Sequence, residues 1–368
     1  MNPITTATPV RFDPSQERAE KDEAKTTAEL IETLRHIAEK TFADSGHALR
    51  AVHAKSHGVV RGELQVLEGL PAHLAQGLFA TPKRYPVVMR LSTSPGDILD
   101  DRISTPRGLG LKVIGVDGAR LPDSQGDTTQ DFVMVNGPAF LVPGPKKFLG
   151  NLKLLAATTD KAEGLKRVLS AALQGTEKAL EAVGGKSTTL IALGGHPKTN
   201  PLGETYFSQA PILYGDYMAK VSVAPVSAEL VALKDAPVDL HDKPDGLRQA
   251  VSDFFAGHAG EWEVRVQLCT DLEVMPIEDA SVEWLQDKSP YIAVARIRVP
   301  AQPSTAADGG QAVDDRLAFS PWHGLAAHRP LGAINRVRKA VYDSSRDFRA
   351  ANNRCPIHEP RSADTTAG

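Results

Sequence analysis

Sulfur is scarce in this chain: two cysteines, Cys269 and Cys355, in 368 residues. That number excludes a disulfide framework, and Cys269, beside the apolar run 264–268, reads as a buried thiol. An excess of one charge is also missing. With 42 basic against 45 acidic residues the net charge is -3, which argues against a nucleic-acid partner and against an anionic membrane surface. The first 25 residues are polar and hold no apolar stretch of signal-peptide length, so a cytoplasmic location is expected. Aromatic residues make up only 5%, so the core has to be largely aliphatic, and the 41% hydrophobic content is enough to build one.

The patterning is mixed. A polar lead over 1–24 precedes an amphipathic helix over 29–41, with Leu30, Ile31, Leu34, Ile37 and Ala38 on one side. From 48 to 142 the chain is strand-rich, with strands predicted over 62–67 and 87–93. The segment 152–183 reads as one or two alanine-rich helices, followed by strands over 217–223, 261–268 and 291–299. A small, polar, glycine-containing stretch over 302–314 reads as a loop, and 331–353 as a helix opened by Pro330. The expected organisation is the 1–24 lead, one domain over 25–355, and a disordered tail over 356–368.

On that last helix Arg338 and Tyr342 lie four apart, and Arg349 follows seven residues after the tyrosine on the same face. A phenol ordinarily ionises near pH 10, so a tyrosine serving as an anionic iron ligand needs a fixed cation beside it. Arg338 is placed to be that cation. Taken alone, such a pair is most often a solvated contact on a surface helix. The rest of the chain has to decide.

Several segments occur in order before it: Arg50-Ala51-Val52-His53-Ala54-Lys55, Arg90-Leu91-Ser92-Thr93, Pro106-Arg107-Gly108-Leu109-Gly110, Asn136-Gly137-Pro138-Ala139-Phe140 and Ala318-Phe319-Ser320-Pro321. With Glu283-Trp284, Ser289-Pro290-Tyr291 and Val299-Pro300, and with Arg338 and Tyr342 last, they resemble the haem-dependent catalase family over about residues 45–350. The resemblance implies an α+β fold: a closed antiparallel β-barrel, eight-stranded in the family, with surrounding helices, a C-terminal proximal haem helix and haem b (iron protoporphyrin IX) as cofactor. It gives His53 the role of distal base, Asn136 that of distal amide and Ser92 that of a hydroxyl supporting the histidine. Tyr342 becomes the iron ligand with Arg338 beside it, Arg50, Arg90 and Arg349 the partners of the haem propionates, and Phe140 and Phe148 the aromatic residues against the porphyrin.

These roles make physical sense. Cleaving a peroxide O–O bond requires a proton to move from the inner to the leaving oxygen, and a neutral imidazole does this near pH 7. Asn136 would add a positioning donor. Three arginines among buried strands are costly unless they meet anions, which propionates supply. The implied activity is that of a short catalase-related peroxidase, which decomposes hydrogen peroxide or reduces organic hydroperoxides through a ferryl intermediate. Its partners would be a small-molecule peroxide and an electron donor, with a homo-oligomer left open. Fatty-acid hydroperoxide rearrangement, as in allene oxide synthases, and non-catalytic haem binding are the alternatives.

The chain also departs from the family pattern. Leu91 replaces an aromatic residue, from which a wider route to the iron and appreciable peroxidase activity are expected. Ser56 and His57 stand where the family has glycine, and Gly137-Pro138 shortens the step to Phe140 by one residue. His53 and His57 as a zinc pair lack the intervening glutamate of a metalloprotease helix. His196, His323 and His328 read as structural.

Overall fold

The computed structural model describes residues 8–156, 196–303 and 311–362. Among these residues nine strands form one antiparallel sheet: β1 (Ser56–Val66), β2 (Arg84–Thr93), β3 (Arg107–Ile114), β4 (Thr129–Val135), β5 (Tyr206–Phe207), β6 (Ile212–Tyr214), β7 (Tyr217–Pro225), β8 (Gly260–Leu268) and β9 (Ile292–Val299). Their order is β5-β4-β3-β2-β1-β9-β8-β7-β6, and β5 pairs with β7 as well. That pairing closes eight strands into a barrel and leaves β6 as a hairpin on β7. The expected closed antiparallel barrel is therefore present.

Alternation along the strands decides what faces inward. Val60 and Leu64 of β1, Met89 and Leu91 of β2, Leu111 of β3 and Ile297 of β9 fill the barrel with the aliphatic core that the composition called for. Each such side chain contributes roughly 1.5–3 kcal/mol on burial. Arg90 and Ser92 alternate with Met89 and Leu91, so they face outward. Leu91 therefore points away from the outer-face site. The expectation that it widens a route to the site is corrected, because a one-residue offset on a strand reverses the face.

The α-helices of the described residues are α1 (Glu23–Ser45), α2 (Pro145–Ala156), α3 (Ala228–Val231), α4 (Gly246–Gly257), α5 (Gln311–Arg316) and α6 (Ala333–Asn352). Leu30, Leu34 and Ile37 of α1, Leu149 and Leu152 of α2, and Val337 and Phe348 of α6 share one core with Ala48 and Ala51. This packing presses α6 against the segment that carries His53. Helix α1 is longer than expected at both ends and stops at Gly46, whose φ of 70° suits glycine. The expected loop over 302–314 becomes helical at Gln311, because Asp314 is drawn into a buried cluster of arginines. The helices expected over 152–183 lie outside the described residues beyond α2. In the N-terminal lead, Val10 and Phe12 pack beside Met218 and Met275. Among the described residues no helix is long and apolar enough to cross a membrane.

The C-terminal segment returns to the barrel. Glu359, in the stretch expected to be disordered, receives Lys112 Nζ at 2.5 Å and Thr129 Oγ1 at 2.7 Å, and lies 3.1 Å from His323 Nδ1. Lys112 also bonds Asp131 at 2.7 and 2.9 Å. Two carboxylates, an ammonium and an imidazole thus neutralise one another in a buried quartet. Burial alone would lower the His323 pKa, but the adjoining carboxylates of Asp131 and Glu359 outweigh it and raise the value to about 9. A free histidine titrates near 6.5, so this stabilisation is complete below about pH 6.5 and is lost as pH rises through about 9. Thermal melts should therefore fall between about pH 7 and pH 9.5. Glu359→Gln should cost about 2–4 kcal/mol at neutral pH by leaving Lys112 and His323 under-neutralised, and should flatten that slope. Melts superimposable on wild type would show that the segment does not hold the barrel.

Candidate functional site

The site lies on the outer face of β2–β4. Ser92 pairs with Gly108 and Arg90 with Gly110, so two glycines of β3 lie between polar neighbours. A Cβ on Gly108 would lie 2.4 Å from the His53 ring, and one on Gly110 would lie 2.8 Å from Phe319 Cδ1. The glycines are required because an imidazole and a phenyl ring rest directly on the strand backbone.

His53 takes a strained φ of 55°, held by its N–H bond to the Ser94 carbonyl at 2.9 Å and by the Ala54 N–H bond to Pro95 at the same distance. Lys55 anchors the segment through Asp101 at 2.8 Å and Asp245 at 3.0 Å. The His53 Nδ1 lies 3.1 Å from Ser92 Oγ, which is in turn 3.4 Å from the Gly108 carbonyl. A hydroxyl donating to that carbonyl accepts Nδ1–H and leaves Nε2 as the free base. Burial first, then the positive charges of Arg90, Arg338 and Arg50, push the His53 pKa down to about 3. The imidazole is neutral at pH 7.

Opposite this segment, Arg338, Tyr342, Ser345 and Arg349 form a stripe on α6 at steps of four, three and four. Ser345 Oγ accepts from the Ala51 N–H at 3.3 Å, which turns the stripe toward the His53 segment. Tyr342 is half-buried on it. Arg338 donates to Asn335 Oδ1 at 3.1 Å and lies 5.6 Å from the centre of the Phe140 ring. Phe140 meets Phe148 at 5.3 Å, and Phe148 also packs against the helical core.

Arg50, Arg90 and Arg349 converge. Asp314 receives Arg50 at 2.6 Å and Arg90 at 2.5 and 3.0 Å, while Arg349 reaches the Leu317 carbonyl at 3.0 Å. Burial would raise the Asp314 pKa, but Arg50 and Arg90 hold it well below the usual carboxylate range. The Arg50 pKa is lowered by burial and then by repulsion from Arg349 and Arg90. The Asp315 carboxylate next door bonds His47 at 3.0 Å. Three guanidiniums crowd one bonded carboxylate, with the Asp315 charge also acting on Arg349, and Arg349 Nε is buried without a hydrogen-bond partner among the described residues. A group with two carboxylates fits that cluster.

Asn136 is close by, exchanging bonds with the Arg107 backbone: its N–H donates at 3.1 Å and its Oδ1 accepts at 2.9 Å. Its Nδ2 meets His196 Nε2 at 2.7 Å and also Glu204. Glu204 bridges on to Arg107 at 3.2 Å. The structure thus gathers His53, Ser92, Arg50, Arg90 and Arg349 with the α6 stripe, and places Asn136 just past the end of β4, opposite Arg107, with its amide turned to His196 and Glu204. Sequence reasoning missed Asp314, Glu204 and His196 as members of the neighbourhood. Each comes from a distant, weakly patterned segment, and no local signal marks them.

No protein-family profile matches this chain, and no curated protein matches it in sequence. Solved structures do. A fungal catalase aligns with TM-score 0.59 and 18% identity over 87% of this chain and 62% of its own. Catalase A from Saccharomyces cerevisiae aligns with TM-score 0.57 and 16% identity over 100% of this chain and 71% of its own. A bacterial catalase gives 0.56 and 18%, over 96% and 66%. The chain spans 62% to 71% of the length of these proteins. At such identities the likeness is one of fold: this chain shares the closed eight-stranded antiparallel barrel and packed outer helices of the catalases.

Proposed function

We propose that this chain is a haem b peroxidase that decomposes hydrogen peroxide or reduces organic hydroperoxides. One observation carries the reading: the His53 imidazole lies against Gly108, its Nδ1 3.1 Å from Ser92 Oγ, on the floor of a site flanked by a cluster of buried arginines. The catalase fold supports it at the level of architecture. Bound haem would supply a ferric iron that accepts a peroxide oxygen and exchanges electrons.

The side chains divide the remaining work. Arg50, Arg90 and Arg349 would hold the propionates, Phe140 and Phe148 would lie against the porphyrin, and Tyr342 would supply an oxygen to the iron with Arg338 four residues before it. His53 Nε2 takes the proton from one peroxide oxygen and returns it to the leaving oxygen, so no proton is gained or lost. Ser92 fixes the ring during both transfers. Asn136 would orient the peroxide, provided that its amide turns from His196 and Glu204. The partners proposed are a small-molecule peroxide and an electron donor in the cytoplasm.

Purified protein reconstituted with haem should show a Soret band that changes on adding peroxide. Parallel assays with an oxygen electrode and a chromogenic reductant then separate dismutation from peroxidation. Full haem loading with neither activity would favour a haem carrier, and consumption of fatty-acid hydroperoxide without a reductant would favour rearrangement.

A further inference from the structure

Asp314 sits at the centre of the arginine cluster, and its position governs what else those arginines can hold. Its carboxylate takes Arg50 Nη1 together with Arg90 Nε and Nη2. The Asp314 and Leu317 carbonyls take Arg50 Nη2 at 2.9 and 2.7 Å, and the Leu317 carbonyl also takes Arg349 Nη2. These oxygens occupy donors that an incoming carboxylate would use. A buried carboxylate also repels a second anion at close range, since little solvent lies between them.

We propose that Asp314 is an internal counter-anion that competes with the carboxylates of haem for Arg50, Arg90 and Arg349. It steadies the arginines in the cofactor-free chain and weakens cofactor binding in the same act. The inference rests on the haem reading above. Its physical basis is the contact set itself. Three guanidiniums packed together without an anion would repel one another, and one carboxylate relieves part of that repulsion at the cost of part of the site's attraction for other anions.

The experiment titrates haem into cofactor-free wild type and Asp314→Asn, follows Soret absorbance, and adds thermal melts of both proteins without haem. Asp314→Asn is expected to melt lower and yet to bind haem at least about tenfold more tightly, the scale of one close like-charge contact removed. The gain should vanish with haem dimethyl ester, which carries no free carboxylate. Equal or weaker haem binding by folded Asp314→Asn overturns the inference, because a purely structural acid would lose affinity when removed. Tighter binding that persists with the diester overturns it too, since charge competition would then not be the cause. Should Asp314→Asn fail to fold, Asp314→Ser is put through the same pair of titrations. A folded wild type that binds no haem removes the haem reading itself, and this inference with it.

Discussion

Tyr342→Phe is expected to lose most of the bound haem, or to hold it with the spectrum of a different axial ligand. The other members of the α6 stripe are two arginines and a serine, none of which offers an anionic oxygen for a metal. Groups that merely orient a metal ligand are worth about 10- to 100-fold in affinity, so losing the ligand itself should cost at least that much. The substitution removes one oxygen and leaves Val337 and Phe348, which hold α6 to α1 and α2, untouched. Far-UV circular dichroism should accordingly be unchanged while haem per chain falls. Haem content and spectrum equal to wild type would overturn the assignment and redirect the search to another ligand.

His53→Ala should retain haem and lose about 10²- to 10⁴-fold in peroxide cleavage, the usual worth of a positioned general base. Retention follows because the arginines and Tyr342 are left in place. The pH profile gives an independent reading. With its pKa pushed down to about 3, His53 stays neutral far below the range where a free histidine protonates. Wild-type cleavage should therefore hold level from about pH 8 to about pH 5 rather than fall near pH 6.5. Stopped-flow rates across that range decide it: an acidic limb near 6.5, removed by His53→Ala, would mean the ring is more hydrated than its place on Gly108 implies. Wild-type rates from His53→Ala would mean that the base lies elsewhere.

The two predictions depend on different parts of the chain, and those parts were unequally legible. Strands β1, β2, β7, β8 and β9 were readable because alternation and β-branched content are local properties. The stripe from Arg338 to Arg349 was readable because helical spacing fixes which residues share a face. The ordered motifs supplied the closed barrel, which strand patterning alone does not specify.

Other features depended on contacts between distant segments. Leu91 was placed beside the site by its neighbours in sequence, whereas the pleat turns it into the barrel core. The 302–314 stretch has loop composition, yet Asp314 meets Arg50 and Arg90 more than 200 positions away in sequence, as their separations of 264 and 224 record. Glu359 lies in a polar tail but joins Lys112, because a buried ammonium beside one carboxylate attracts a second. By itself the sequence determined which residue types stand at which step of a strand or helix, and hence the candidate base, ligand and arginines. Only the tertiary structure decided the face each strand residue takes, the meeting of Arg50 and Arg90 on the Asp314 carboxylate with Arg349 beside them, and the burial that lowers the His53 pKa. These outcomes depend on burial and on the distances between charges, and neither is a property of neighbouring residues in a chain.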